Sequence, residues 1–178
     1  MKYLITFIAA AFVNVGALAS SPIDKIDQQF PKNVGEFQLV KREVIPVKTS
    51  RVTWFYKVPN KSNATLTITA LHPTRDNVDI EAEFRKFMED YARSEPARTI
   101  SKLQDFPDSL IAQGCGPQFQ QLSFKSQGRV YSYISNNFAT VFERHLIRIS
   151  VIHEENTTNQ QLEIRFLNNI RAALGNCK

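Results

Sequence analysis

The sequence predicts an α+β fold: a single, largely antiparallel sheet covered by two amphipathic helices, in the order βββα-βββα. Three observations carry this reading. Short alternating runs, rich in β-branched and aromatic residues, come in two groups of three. Each group is followed by one stretch whose apolar residues recur at helical spacing. Short turns join the strands, which implies antiparallel pairing, and two amphipathic helices need an apolar sheet face to cover.

Residues 22–35 read as a lead-in with one helical turn, and "EFQLVKREV" (36–44) as the first strand. In "RVTWFYKV" (51–58), Val52, Trp54, Tyr56 and Val58 fall on one side, and Arg51, Thr53, Phe55 and Lys57 on the other. "PNKSN" (59–63) has turn chemistry, and "ATLTITALH" (64–72) is a β-branched run stopped by Pro73. The period then changes: Ile80, Phe84, Phe87, Met88 and Tyr91 make a helical stripe opposite Glu81, Arg85, Glu89 and Arg93. Residues 97–116 read as irregular. Strands are expected at 118–125, 129–135 and 145–153, with a turn at either Asn136-Asn137 or Glu143-Arg144. Leu162, Phe166, Leu167, Ile170 and Leu174 mark the final helix, with Thr157-Thr158 as its cap.

The first 19 residues read as a signal peptide. Met1-Lys2 is basic, residues 3–13 carry no charge, and "ALA" at 17–19 suits cleavage after Ala19. The apolar run is shorter than the roughly 20 residues a spanning helix needs, so no stable membrane anchor is expected after cleavage. Residues 20–178 then form one α+β domain in the periplasm or outside the cell. That compartment is oxidising, so Cys115 and Cys177 are expected to form a disulfide. Gly114 and Gly116 let the chain turn sharply beside Cys115. A reactive Cys115 would need a positioned base, and a metal would need more soft ligands than two distant thiols.

Lys and Arg total 22 against 17 Asp and Glu, and the basic residues are spread along the chain. That balance suits a partner with acidic patches or an anionic envelope surface, not nucleic acid. No catalytic residue, metal site or cofactor is assigned. His145 and His153 lie on one strand with the same parity as Ile147, Ile149 and Val151, roughly 26 Å apart, too far to share a metal or a catalytic site. They read as the two ends of a core stripe, and His72 ends another strand. Glu154 and Glu155 should point to opposite faces. No nucleophile elbow, Ser-x-x-Lys or phosphate-binding glycine loop is present.

Aromatic residues crowd two strands: Trp54, Phe55, Tyr56, Tyr131 and Tyr133. If helices bury the Trp54 side of the second strand, Phe55 is an exposed anchor flanked by the cations Arg51 and Lys57. These three are the candidate partner-binding residues.

"FPKNVGEFQL" after the leader, the "TWFY" strand, "ATLTITAL" before the charged helix, and the late pair "VYSYIS" and "HLIRISVIH" resemble a group of uncharacterised bacterial exported proteins. The strand order is also similar to Mog1/PsbP-type α/β sandwiches, which implies a binding or assembly module and supplies no catalytic residue. The expected function is thus that of an exported, non-enzymatic binding or accessory domain, its partner an envelope or secreted protein. An immunity or inhibitor protein against a toxin or hydrolase is one alternative. A hydrolase or transferase is another, and a histidine and a carboxylate in hydrogen-bond contact within a deep polar pocket would favour it.

Overall fold

The computed structural model describes residues 22–29, 32–46, 50–71, 77–104, 106, 116–155 and 160–175. The expected leader at 1–19, His72, Cys115 and Cys177 lie outside them. Eight strands, β1 (Asn33–Val34), β2 (Phe37–Pro46), β3 (Ser50–Val58), β4 (Ser62–Ala70), β5 (Thr99–Lys102), β6 (Gln120–Gln127), β7 (Ser132–Phe142) and β8 (His145–Glu154), form one sheet in the order β1-β2-β3-β4-β8-β7-β6-β5. Every neighbouring pair is antiparallel. The described helices are α1 (Pro22–Gln29), α2 (Ile80–Ser94) and α3, which spans Gln160–Leu174. The chain lays down β1 to β4, crosses with α2 to the far edge, and returns through β5 to β8, so that β8 closes against β4.

Alternation assigns each side chain to a face. Trp54, Leu66 and Ile149 stand opposite one another across β3, β4 and β8, and with Val52, Tyr56, Ile68, Ile147 and Val151 they build the first face. α3 lays its apolar stripe on that face. Phe166 meets Phe37 and Tyr56 edge-on, with ring centroids 4.7 and 5.3 Å apart. Trp54, Phe166, Leu167, Ile170 and Leu174 are fully buried in this layer. Truncating any of its aromatics is expected to cost roughly 3–5 kcal/mol. α1 packs beside α3, burying Ile26, and its Lys25 reaches Glu143 at 2.8 Å.

The observed order differs from βββα-βββα, and the two expected helices do not share a face. The helical turn expected in the lead-in is the longer α1, the structure adds β1 and β5 to the expected elements, and α2 lies on the second face. Phe87 and Tyr91 pack on Phe124 with centroids 6.2 and 5.2 Å apart, and Ile80 packs near Ala139 and Leu146. The reason lies in β6–β8: where β3 puts only Phe55 among polar residues on the second face, these strands bring Leu122, Phe124, Ala139 and Leu146 together there, and that patch needs its own cover. Asp79 caps α2, accepting from the amide of Ala82 at 3.1 Å. β7 runs straight through Asn136-Asn137, and the turn falls at Glu143-Arg144, both at positive φ (45° and 60°).

Candidate functional site

On the second face, α2 covers β6, β7 and the β8 side of the sheet. No described helix packs over β2 and β3 there. The three sequence candidates meet on this part, which no described helix covers: β3 alternation puts Arg51, Phe55 and Lys57 on one row. Arg51 and Lys57 are exposed. Phe55 is half-buried rather than the fully exposed anchor expected from the alternation. Its cross-strand neighbours are Lys41 and Thr65, and the Lys41 ammonium sits 5.8 Å from the ring centroid, covering part of it. Lys41 also pairs with Glu43 along β2.

The row runs into a groove of about 420 Å³ at the β3–β4 turn end of the sheet. Lys57, Asn63 and Ile152 follow one another across β3, β4 and β8 and form its floor, and Lys61, Tyr133 and Glu154 line it as well. Asn60 takes φ 56° to make the turn that brings Lys61 round. Beyond Tyr133, the exposed Tyr131 ring stands 6.4 Å away and extends the aromatic rim. A partly covered ring, flanking cations and a polar-rimmed groove suit recognition of a surface that offers an apolar socket and carboxylates.

A second polar group lies under α3 on the first face, and the sequence reading missed it. Glu163, fully buried, holds His153 Nδ1 at 2.7 Å through one carboxylate oxygen and accepts from Asn136 Nδ2 at 2.5 Å through the other. Ser123 donates to Asn136 Oδ1 at 2.7 Å, Gln121 donates to Ser123, and the Phe106 amide donates to Gln121 at 3.1 Å. His153 does end the core stripe, as its parity implies, and His145 ends it at the other side, its Nδ1 at the Glu143 carbonyl. A signal for the pair was present: Glu163 sits at i−3, i−4 and i−7 from Phe166, Leu167 and Ile170, on the buried stripe of α3. Ser62, buried, stands directly opposite His153 in the β4–β8 ladder. His153 is only 7% exposed, and with Ser62 it borders the groove of about 420 Å³ beside Lys57.

At the other end of α3, Gly116 takes φ 105° and its backbone presses on the main chain of Arg171, where a Cβ would run into the Arg171 carbonyl. The buried Arg171 donates through Nε to the Pro117 carbonyl at 2.9 Å. Burial holds its guanidinium below the ordinary arginine value. No group of three or more potential metal ligands occurs among the described residues. No described helix is long and apolar enough to cross a membrane. No protein-family model matches the chain, and no curated protein matches it.

Proposed function

We propose that this chain is an exported, non-enzymatic binding or accessory domain, and that it meets an envelope or secreted protein through that part of its second sheet face. One observation carries the reading: Phe55, Arg51 and Lys57 share a face that no described helix covers, and that face continues into the groove beside Lys57. Phe55 is the apolar anchor, and Arg51, Lys57 and Lys61 select carboxylates on the partner. In the same proposal residues 1–19 direct export, and Cys115 and Cys177 form a disulfide in the oxidising compartment. Supporting the bridge, Gly116 touches Arg171, and α3 ends at Leu174, three residues before Cys177.

The test is co-purification from an envelope extract. A partner held by the wild type should be lost by Phe55→Ala and by Lys57→Glu, and kept by Glu89→Lys on the exposed side of α2. Equal retention by all three variants would sink the proposed surface.

A hydrolase reading has one observation in its favour: His153 touches Glu163, and Ser62 stands opposite His153. Stable labelling of Ser62 by a fluorophosphonate would establish that reading, and an unlabelled protein would remove it.

A further inference from the structure

Between α2 and the sheet lies a separate cavity of about 170 Å³. Its floor is the second face of β4, β8 and β7. Thr65, Ser150 and Asn137 cross it on one rung, and Thr67 and Arg148 on the next. Its roof is Glu83, Phe84 and Phe87 of α2. Asn137 is engaged, donating to the carbonyls of Leu122 and Ser135, and Thr67 shares a hydrogen bond with Thr53. Arg148 is half-buried at the side of the cavity, its guanidinium nitrogens not sealed from solvent, with the Glu83 carboxylate near enough to attract it.

The five donors of Arg148, open to water at the cavity, can be taken over by the acceptor atoms of a ligand. Desolvation holds Arg148 below the ordinary arginine value, Glu83 attracts it and Arg51 repels it. The ligand group that suits it is a carboxylate, whose two oxygens match the arginine fork. Apolar cavities of about 150 Å³ hold a benzene-sized body, and Phe84 and Phe87 offer such a body two aromatic walls. Glu83 on the same wall weakens the positive field, which disfavours a dianion more than a monoanion.

We propose that this cavity binds a small monocarboxylate with a compact apolar body, its carboxylate on Arg148 and its body between Phe84 and Phe87. The hydroxyls of Thr65 and Ser150 stand on the floor beside Arg148 to take the remaining carboxylate lone pairs. The site is independent of the surface around Phe55.

The experiment is a thermal-shift and calorimetric titration of the full chain with benzoate, with benzyl alcohol and inorganic phosphate as comparators. Benzoate is expected to saturate, and at a hundredfold excess over Kd to raise Tm by roughly 5–10 °C. The comparators should leave Tm unchanged at the same concentrations. Arg148→Met should lose the benzoate shift and, without ligand, melt close to the wild type, because Arg148 is half-buried and its charge interaction with Glu83 is a weak one. Arg148→Lys keeps the charge and loses the fork, and should weaken benzoate by about tenfold or more. Three results would overturn the proposal: no saturable benzoate effect, an unchanged shift in Arg148→Met, or phosphate binding in place of benzoate. A large fall in the ligand-free Tm of Arg148→Met would also overturn it, by making Arg148 a structural partner of Glu83.

Discussion

Glu163→Ala is the most informative single perturbation of the fold. The carboxylate is fully buried and is the acceptor for Asn136 Nδ2 as well as the partner of His153 Nδ1. Removing it strands two polar groups, each costing about 1–3 kcal/mol when left unpaired in the interior. A small cavity adds to that, so the total is about 3–5 kcal/mol, the range found when one partner of a buried pair is deleted. With a urea m-value of about 2 kcal/mol/M, a loss of 4 kcal/mol moves the midpoint down by about 2 M. Glu163→Gln keeps the volume but has a single carbonyl acceptor for two neighbours, so it should fall between the wild type and Glu163→Ala. Equilibrium unfolding by circular dichroism reads both. A loss under about 1 kcal/mol for Glu163→Ala would mean that the pair does not clamp α3 to the sheet, and this account of the layer would fail.

Three further outcomes are expected. Phe55→Ala should cost about 1–2 kcal/mol, because the ring is half-buried under Lys41, against the roughly 3–5 kcal/mol of a fully buried phenylalanine such as Phe166; urea midpoints of the two alanine variants compare them directly. If the proposed Cys115–Cys177 bridge forms, the intact mass of protein recovered from an oxidising compartment should be about 2 Da below the reduced value, and reduction should lower stability by roughly 4 kcal/mol for a loop of about 60 residues; full thiol labelling of both cysteines in the native protein would exclude it. Gly116→Ala should destabilise by more than a surface substitution, since the backbone is at positive φ and the new methyl meets the Arg171 carbonyl.

The strands with strict alternation were legible in the sequence, because β3, β4 and β8 each put an unbroken apolar row on one face. α2 and α3 were legible by their stripes. The side of the sheet that α2 covers was not, since it depends on Phe124, Ala139 and Leu146 coming together from three strands. Asn136-Asn137 resembles a turn, yet each amide is satisfied in place: Asn136 by Glu163 on one face, Asn137 by Ser135 and Leu122 on the other. The strand therefore passes through polar residues that a local reading assigns to a loop. Of the binding surface, the shared row of Arg51, Phe55 and Lys57 was legible. The Lys41 cover and the groove were not, because they come from β2 and from the ends of β7 and β8. His153 and Glu163 each sat on a buried stripe, but their contact joins a strand to a helix and has no local signature.

The central claim is that the β3 face of the sheet meets a partner, and crosslinking in living cells tests it most directly. A benzophenone side chain is placed at position 55, at 57 or, as control, at 89 on α2, and adducts are resolved after irradiation. The account predicts one discrete adduct from positions 55 and 57, absent from 89, and lost from position 55 when Lys57→Glu is added. Adducts of equal strength from 89, or none from 55 and 57 while the protein is exported and folded, would contradict it.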